Sequence, residues 1–199
     1  IARYGVPADQ VSVVPNGVDM EAWSGPADAG AVDPAVEAAL RGATVLFFMG
    51  KLDYQPNREA LRFLAGQVLP ELERDGGGSC RLLVCGGPAP AVAPHPGMVF
   101  AGRVPDIVPY VRRADICLAP IFTGSGTRLK ILEYMAAGKP VVATPKGAEG
   151  LAGEPGVHVE LAEPAAFASA VRRLASDPLR AARMGTEARK LAAERYDWR

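Results

Sequence analysis

The stretch Pro120–Thr144, PIFTGSGTRLKILEYMAAGKPVVAT, decides the fold of this chain. It predicts the end of a buried strand, a glycine-rich turn, an amphipathic helix over Thr127–Ala137 and a second buried strand at Val141–Thr144. Gly138 follows the helix at a position where glycine commonly ends helices. Free backbone N–H groups, two cations beside the turn and one carboxylate together suit a phosphorylated ligand that carries hydroxyl groups.

Short apolar runs on both sides of this stretch predict further strands, and helical patterns lie between most of them. The six predicted strands are Thr44–Met49, Arg81–Cys85, Met98–Ala101, Ile116–Ala119, Val141–Thr144 and Val157–Leu161. The longer predicted helices are Asn57–Asp75, Ile107–Ala114 with Asp106 as its cap, Thr127–Ala137, Pro164–Ala175 and Leu179–Arg195. Continuously apolar strands that alternate with helices are typical of parallel sheets. We therefore predict a Rossmann-like, doubly wound α/β sheet of about six strands, with helices on both faces and the strand order 3-2-1-4-5-6.

That strand order also predicts where a ligand binds. The chain reverses direction between the first and fourth strands, and ligands bind beyond the carboxyl ends of such strands. The loops Gly50–Asn57 and Ile121–Arg128 should therefore line the site. Glycines and a helix N-terminus at Gly124-Ser125-Gly126-Thr127 favour phosphate binding. The alternative is an ordinary loop in which Ser125 or Thr127 caps the helix.

Three cations and one carboxylate near these loops are candidates for ligand contact. Lys51, Arg128 and Lys130 could neutralise a diphosphate, although solvated surface charge is the usual fate of such side chains. Glu133 lies nearly two turns into the helix. Its carboxylate could accept hydrogen bonds from the vicinal hydroxyls of a ribose, or it could face solvent on an amphipathic helix.

The composition points away from several classes of function. The 22 Lys and Arg residues balance the 22 Asp and Glu residues, so no general attraction to nucleic acid is indicated. No apolar run reaches the ~18 residues of a membrane span. Three cysteines and two histidines give no zinc spacing, and buried thiols in a reducing compartment are expected.

Common nucleotide-binding motifs are missing too. The first strand–helix turn, Gly50–Gln55, lacks the G-x-G-x-x-G fingerprint, and the second strand ends at Cys85 with no acidic residue for an NAD-type ribose. The chain has neither a Walker A sequence nor a nucleophile elbow. The Asp-x-Asp spacing of a magnesium–diphosphate site is also absent.

The residues Gly124–Val142 resemble the donor half of the group 1 glycosyltransferases, which have the two-domain GT-B fold. Within this range, Glu133–Val142 is similar to the family signature L-E-A-M-A-x-G-x-P-V-V. Further matches to the family pattern lie at Val13–Asp19, Phe100–Val104, Ala114–Ile116 and Tyr196–Trp198. The resemblance thus extends over nearly the whole chain.

The resemblance implies transfer of a sugar from a nucleotide-diphosphate sugar to an acceptor, with retention of the anomeric configuration and without a metal. Glu133 would bind the donor ribose, and Val104 and Pro105 would lie near the nucleobase. The implied donor-binding residues are Gly50, Val104, Pro105, Gly124, Ser125, Gly126, Thr127, Leu129 and Glu133. Lys51, Arg128 and Lys130 would have the catalytic role of stabilising charge as the nucleoside diphosphate leaves.

Two positions depart from the family pattern. Ser125 stands where the family often has another glutamate, and Pro56-Asn57 stand where it usually has a lysine. The motifs D-Y-x-P-N and G-S-G-T-R-L-K look like a subset seen in some exopolysaccharide-type sugar transferases. We expect Arg128 or Lys130 to supply the missing charge near the diphosphate.

The same resemblance predicts the organisation of the protein. Residues 1–23 would be an interdomain linker segment and domain entry, residues 24–195 the nucleotide-sugar donor-binding domain, and residues 196–199 the start of a returning C-terminal helix. The chain would be a fragment without its N-terminal acceptor domain, so it should bind nucleotide weakly and transfer little or no sugar alone.

The family resemblance also predicts the binding partners of the protein and its location in the cell. The expected partners are the nucleotide-sugar donor, a carbohydrate or lipid-linked acceptor and the N-terminal domain, with no nucleic acid. The protein should be cytoplasmic, and any peripheral contact with the inner membrane face would be made through the missing part. Two alternatives stay open, namely a GT-B-like sugar-nucleotide epimerase and a noncatalytic scaffold or binding module that lost the donor site.

Overall fold

A six-stranded parallel sheet forms the centre of the protein in a computed structural model, which describes residues 7, 10–11, 16–25, 30–74, 79–88, 93, 95–124 and 129–199. The strands are β1 (Thr44–Met49), β2 (Cys80–Cys85), β3 (Met98–Gly102), β4 (Ile116–Ala119), β5 (Val141–Ala143) and β6 (Glu160–Leu161). Their spatial order is β3-β2-β1-β4-β5-β6, and every neighbouring pair is parallel. The predicted fold class and strand order are confirmed.

Helices connect and cover these strands. They are α1 (Pro34–Leu40), α2 (Gln55–Phe63), α3 (Leu69–Arg74), α4 (Val108–Arg113), α5 (Leu129–Ala136), α6 (Phe167–Ser176) and α7 (Pro178–Arg195). A π-helical turn at Leu64–Val68 joins α2 to α3, so the helix predicted from Asn57 onward is one continuous element with a local irregularity. It begins two residues earlier than predicted because Pro56 fits the first helical turn, where a backbone N–H is not needed.

The alternation of side chains along β1 explains why its sequence is continuously apolar. Val45 and Phe47 face one core layer, which contains α5 and α7, while Leu46 and Phe48 face the other, which contains α2, α3 and α6. Successive strand residues point to opposite faces, and here both faces are covered by helices. All four side chains are fully buried.

Local contacts test several predicted details of the secondary structure. Val108 N–H, at the start of α4, donates to Asp106 Oδ1 at 2.9 Å, although the cap residue of the helix is Ile107 and not Asp106 as predicted. The predicted strand Val157–Leu161 is too long, because the N–H groups of Val157 and His158 both donate to Glu154 O in a turn before β6. The three cysteines are free and buried, and burial raises the pKa of Cys85 to about 12.

The described residues near the two chain ends lie side by side. Val18 N–H donates to Tyr196 O at 2.7 Å, and Trp198 N–H donates to Val18 O at 3.2 Å. Asp197 therefore forms a β-bridge with Val18, and the returning helix expected from residue 196 stays a prediction. Among the described helices, none combines the length and apolar character needed to cross a membrane.

Candidate functional site

A cavity of about 460 Å³ opens beyond the carboxyl ends of the central strands. Its lining residues are Met49, Gly50, Tyr54, Pro56, Asn57, Cys85, Gly86, Arg103, Val104, Ile107, Ala119, Ile121, Thr123, Leu129, Lys130, Glu133 and Gly147. The loops that follow β1 and β4 both contribute, and these two strands are adjacent although they are not consecutive. The cavity thus lies in the crevice where the strand order places a ligand.

Two glycines form the floor of the cavity, and their backbones are in close contact. Gly50 follows β1 and Gly86 follows β2, with φ angles of 152° and 132°. A Cβ atom on Gly86 would lie 1.9 Å from Gly50 O, and one on Gly50 would lie 2.6 Å from Asn57 Nδ2. Both positions need glycine, because a side chain would collide and because these φ angles are strained for L-residues.

Helix α5 is fixed against β1 so that its polar side chains reach the cavity. Tyr134 is fully buried, and its Oη accepts a hydrogen bond from Met49 N–H at 3.1 Å. The Tyr134 ring also packs edge to face on Phe47, with 5.8 Å between ring centroids. Lys130 and Glu133, three positions apart, lie on neighbouring parts of the helix surface that faces the cavity.

Lys130 is held inside the cavity by groups from two other elements. Its Nζ donates to Asn57 Oδ1 at 2.8 Å and lies 4.0 Å from the centre of the Phe48 ring. Burial lowers the pKa of Lys130 to about 7, while the nearby Glu133 carboxylate acts in the opposite direction. The charge of Lys130 therefore changes near neutral pH.

Glu133 supplies the carboxylate of the cavity. Burial raises the pKa of Glu133, and the positive charge of Lys130 partly offsets this. The side chain has no hydrogen-bond partner among the residues that the structure describes. A half-buried carboxylate beside an ammonium group can accept hydrogen bonds from ligand hydroxyls while the ammonium group attracts an anion.

At the mouth of the cavity, the loop after β4 contacts the start of α2. Thr123 Oγ1 donates to Glu59 Oε2 at 2.7 Å, and Gln55 Nε2 donates to Glu59 Oε1 at 3.0 Å. At Gly124, with φ of 94°, a Cβ atom would lie 3.2 Å from Pro56 Cγ. The loop after β4 is therefore packed closely on the start of α2.

The structure brings together five of the residues predicted for the site. Gly50, Val104, Leu129, Lys130 and Glu133 all line the cavity. Gly124 lies at its mouth, and Pro105 is exposed next to Val104. The roles assigned to these residues stay predictions.

Other predicted residues lie elsewhere. Lys51 does not line the cavity, since its side chain is 74% exposed and its Nζ lies 3.7 Å from an Asp53 carboxylate oxygen. Ser125, Gly126, Thr127 and Arg128 fall outside the described residues. Whether Arg128 supplies charge to a diphosphate is therefore still a prediction.

Several residues of the lining are not among the predicted ligand contacts. Asn57 ends the predicted loop Gly50–Asn57 but is not named as a ligand contact, and its hydrogen bond to Lys130 joins positions 73 apart in sequence. Tyr54 lies in the same predicted loop without a named role, whereas Arg103 and Gly86 lie outside both predicted loops. The available signal was their position just beyond the ends of β1, β3 and β2, at the edge of the sheet where ligands bind.

The described residues contain no group of three His, Cys, Asp or Glu side chains that could hold a metal ion. The expectation that the site works without a metal stays a prediction. Lys130 is the cation that the described lining places beside Glu133.

Comparison with known sequences gives a consistent family. The model of the glycosyl transferases group 1 family matches residues 43–177. The D-inositol 3-phosphate glycosyltransferase of Rhodococcus opacus is 29% identical over all of this chain and 47% of its own length. The corresponding protein of Corynebacterium efficiens is 31% identical over all of this chain and 50% of its own length. The chain thus spans about half the length of the curated relatives it matches.

Solved structures share the fold. Anabaena HepE, solved in complex with UDP and glucose, has a TM-score of 0.72 at 18% identity, covering 98% of this chain and 55% of HepE. The C-terminal domain of LpcC, a group 1 family protein from Francisella tularensis, has a TM-score of 0.64 at 16% identity, covering 92% of this chain and all of that domain. The family model and these neighbours confirm the predicted resemblance: the chain belongs to the group 1 glycosyltransferases and has the fold of one half of the GT-B architecture.

Proposed function

We propose that this chain is the nucleotide-sugar donor-binding half of a retaining glycosyltransferase. The observation that carries the proposal is the pairing of Lys130 and Glu133 on one helix, both facing a cavity of about 460 Å³ at the switch point of the sheet. A cation and a carboxylate at this spacing match the two polar parts of a nucleoside diphosphate, its phosphates and its ribose.

The diphosphate is proposed to bind at the N-terminal end of α5. Lys130 lies in the first turn of this eight-residue helix, where backbone N–H groups and the helix dipole favour an anion. The ammonium group of Lys130 is partly shielded from water, so its interaction with a phosphate is stronger than that of an exposed lysine. Lys51 and Arg128 stay candidates for a second positive charge.

The ribose is proposed to bind at Glu133, and the nucleobase near Val104 and Pro105. Glu133 comes about one helical turn after Lys130 in α5, so it lies farther from the N-terminus of the helix. Val104 follows β3 and lines the same cavity. UDP and UDP-glucose occur in structures of HepE, which shares this fold, and we infer that a uridine or another nucleoside diphosphate sugar is the donor here.

Sugar transfer is proposed to proceed by electrostatic stabilisation. As the bond between the sugar and the diphosphate breaks, negative charge develops on the leaving phosphate, and Lys130 stabilises it without a metal. The acceptor site and the remaining catalytic groups are proposed to lie in an N-terminal domain of the same protein, outside this chain. This domain alone should therefore bind donor nucleotides but transfer little sugar.

Replacing Glu133 tests the ribose contact. Calorimetric titration of the domain with UDP, GDP and ADP identifies the nucleobase that binds best. The titration is then repeated with the corresponding 2′-deoxynucleotide, which lacks one ribose hydroxyl. We expect the unsubstituted domain to prefer the ribonucleotide by about tenfold or more, because a hydrogen bond to a charged group contributes about 1.5–3 kcal/mol. Glu133→Ala should weaken ribonucleotide binding by a similar factor and lose this preference.

The comparison between the two ligands controls for damage to the site. A general distortion by Glu133→Ala would weaken both nucleotides equally and leave their ratio unchanged, which would contradict the ribose contact. If no nucleotide binds to the unsubstituted domain at millimolar concentration, the proposed function is wrong and a noncatalytic module is the better description.

A further inference from the structure

Asn57 is a buried polar side chain in the wall of the cavity, and both ends of its amide are used. The residue is 7% exposed. Its Nδ2 donates to Lys51 O at 2.8 Å, and its Oδ1 accepts from Lys130 Nζ at 2.8 Å. The opposite orientation would turn the amide NH₂ toward an ammonium group and the amide oxygen toward a carbonyl oxygen. The two partners therefore fix which way the amide faces.

The contact determines where the Lys130 ammonium group lies. A lysine side chain has four flexible carbon–carbon bonds and moves freely unless its end is held. Here Asn57 on α2 and the Phe48 ring on β1 hold the ammonium group from outside its own helix. Fixing it before a ligand arrives removes part of the entropy cost of binding.

Several other titratable groups face the same cavity. Glu133 on α5 favours the charged form of Lys130, and the Cys85 thiol at the end of β2 stays protonated because burial raises its pKa to about 12. Tyr54 before α2 and Arg103 after β3 complete the titratable side chains of the described lining. Asn57 is uncharged and is hydrogen-bonded to Lys130 Nζ, so a charge introduced at this position has a direct effect on Lys130.

We propose that Asn57 is a positioning residue that holds the Lys130 ammonium group at the place where the donor diphosphate binds. This inference rests on the proposed function of the cavity. Asn57 acts through Lys130, and it needs no contact with the substrate. Its amide serves both functions at once, since the donor end anchors the side chain to the loop after β1 and the acceptor end holds the lysine.

Two substitutions at this position separate positioning from packing. Asn57→Leu keeps the branched shape of the side chain but has no acceptor. The Lys130 ammonium group is then no longer held before the ligand arrives, so UDP-glucose binding should weaken by about tenfold. Asn57→Asp keeps the acceptor and adds a negative charge, so the pH at which Lys130 loses its proton should rise by about one unit or more. Both variants lose the donor to Lys51 O, so both should unfold at a lower temperature than the unsubstituted domain.

The titration of Lys130 is measured in the ligand-free domain, by following the rate of amine acylation at this residue by mass spectrometry as a function of pH. An unchanged midpoint in Asn57→Asp would overturn the inference, and so would undiminished UDP-glucose binding by a folded Asn57→Leu variant. If the midpoint moves but the unsubstituted domain binds no nucleotide, the contact exists without serving a donor. The proposed function and the positioning role would then both be wrong, and this outcome differs from failure of the contact alone.

Discussion

Lys130→Met should reduce UDP-glucose affinity by about tenfold to a hundredfold near pH 6.5, because a charge-assisted hydrogen bond to phosphate is lost. Methionine has a similar length and keeps the apolar contact with Phe48, so the fold should be retained. The measurement is calorimetric titration from about pH 6.5 to about pH 8.5, a range that spans the titration of an amine whose pKa is near 7. UDP-glucose is better suited than UDP to this pH series, because the terminal phosphate of UDP itself titrates near pH 6, at about the pKa of other phosphate monoesters.

The pH dependence of binding tests the role of Lys130 more specifically than the affinity at a single pH. Burial lowers the pKa of Lys130 to about 7 in the free protein, and a bound diphosphate raises it again because the opposite charge favours the ammonium form. Below pH 7 the lysine is already charged, and affinity is at its maximum. Above pH 7 a proton must be taken up on binding, so affinity should fall by up to about tenfold per pH unit.

Lys130→Arg is the matched control. A guanidinium group stays protonated throughout this range, so binding should keep much of its strength and become independent of pH. Lys130→Met should also be independent of pH, but weak. Equal pH dependence in all three proteins would show that another group is responsible and would contradict the role given to Lys130.

Gly86→Ala should lower the free energy of unfolding by about 2–4 kcal/mol, combining a collision with a strained backbone conformation. The added Cβ would lie 1.9 Å from Gly50 O, so the loop after β1 must move. Gly50 lines the cavity, and its displacement should also impair nucleotide binding. Chemical denaturation measures the stability, and titration of the folded variant measures the binding.

Gly102→Ala separates the two causes. Gly102 also has a positive φ, of 69°, but its Cβ would meet no heavy atom within 4 Å. This variant should lose only the strain energy, about 1–2 kcal/mol. If Gly86→Ala were no worse than Gly102→Ala, the close approach of the two loops would not matter for stability, contrary to our description of the cavity floor.

Much of the fold follows from local sequence. Thr44–Met49 and Ile116–Ala119 have the bounds predicted for them, because a continuous apolar run between polar segments leaves few choices for a buried parallel strand. The strand order then placed the ligand crevice next to Gly50 and at the start of α5. These predictions depend on patterns within a few residues of each other, and such patterns are visible in a single sequence.

The details of the site depend on contacts that sequence spacing does not encode. Lys51 lies two residues after β1 and is predicted near the ligand, yet its flexible side chain extends toward solvent and Asp53. The partner of Lys130 is Asn57, 73 positions away, and the partner of Gly86 is Gly50. Both pairs form because β1 lies beside β2 and β4 in the sheet. Such pairs are visible in the three-dimensional structure but not in the spacing of residues along the sequence.

The measurement that tests the function most directly is a crystal structure of the domain with UDP-glucose, or with the nucleotide that calorimetry shows to bind best. We predict that the nucleotide occupies the cavity between β1 and β4, with phosphate oxygens within hydrogen-bonding distance of Lys130 Nζ and the ribose hydroxyls on the Glu133 carboxylate. A nucleotide bound elsewhere on the domain, or in this cavity with its ribose away from Glu133, would contradict the proposed donor site.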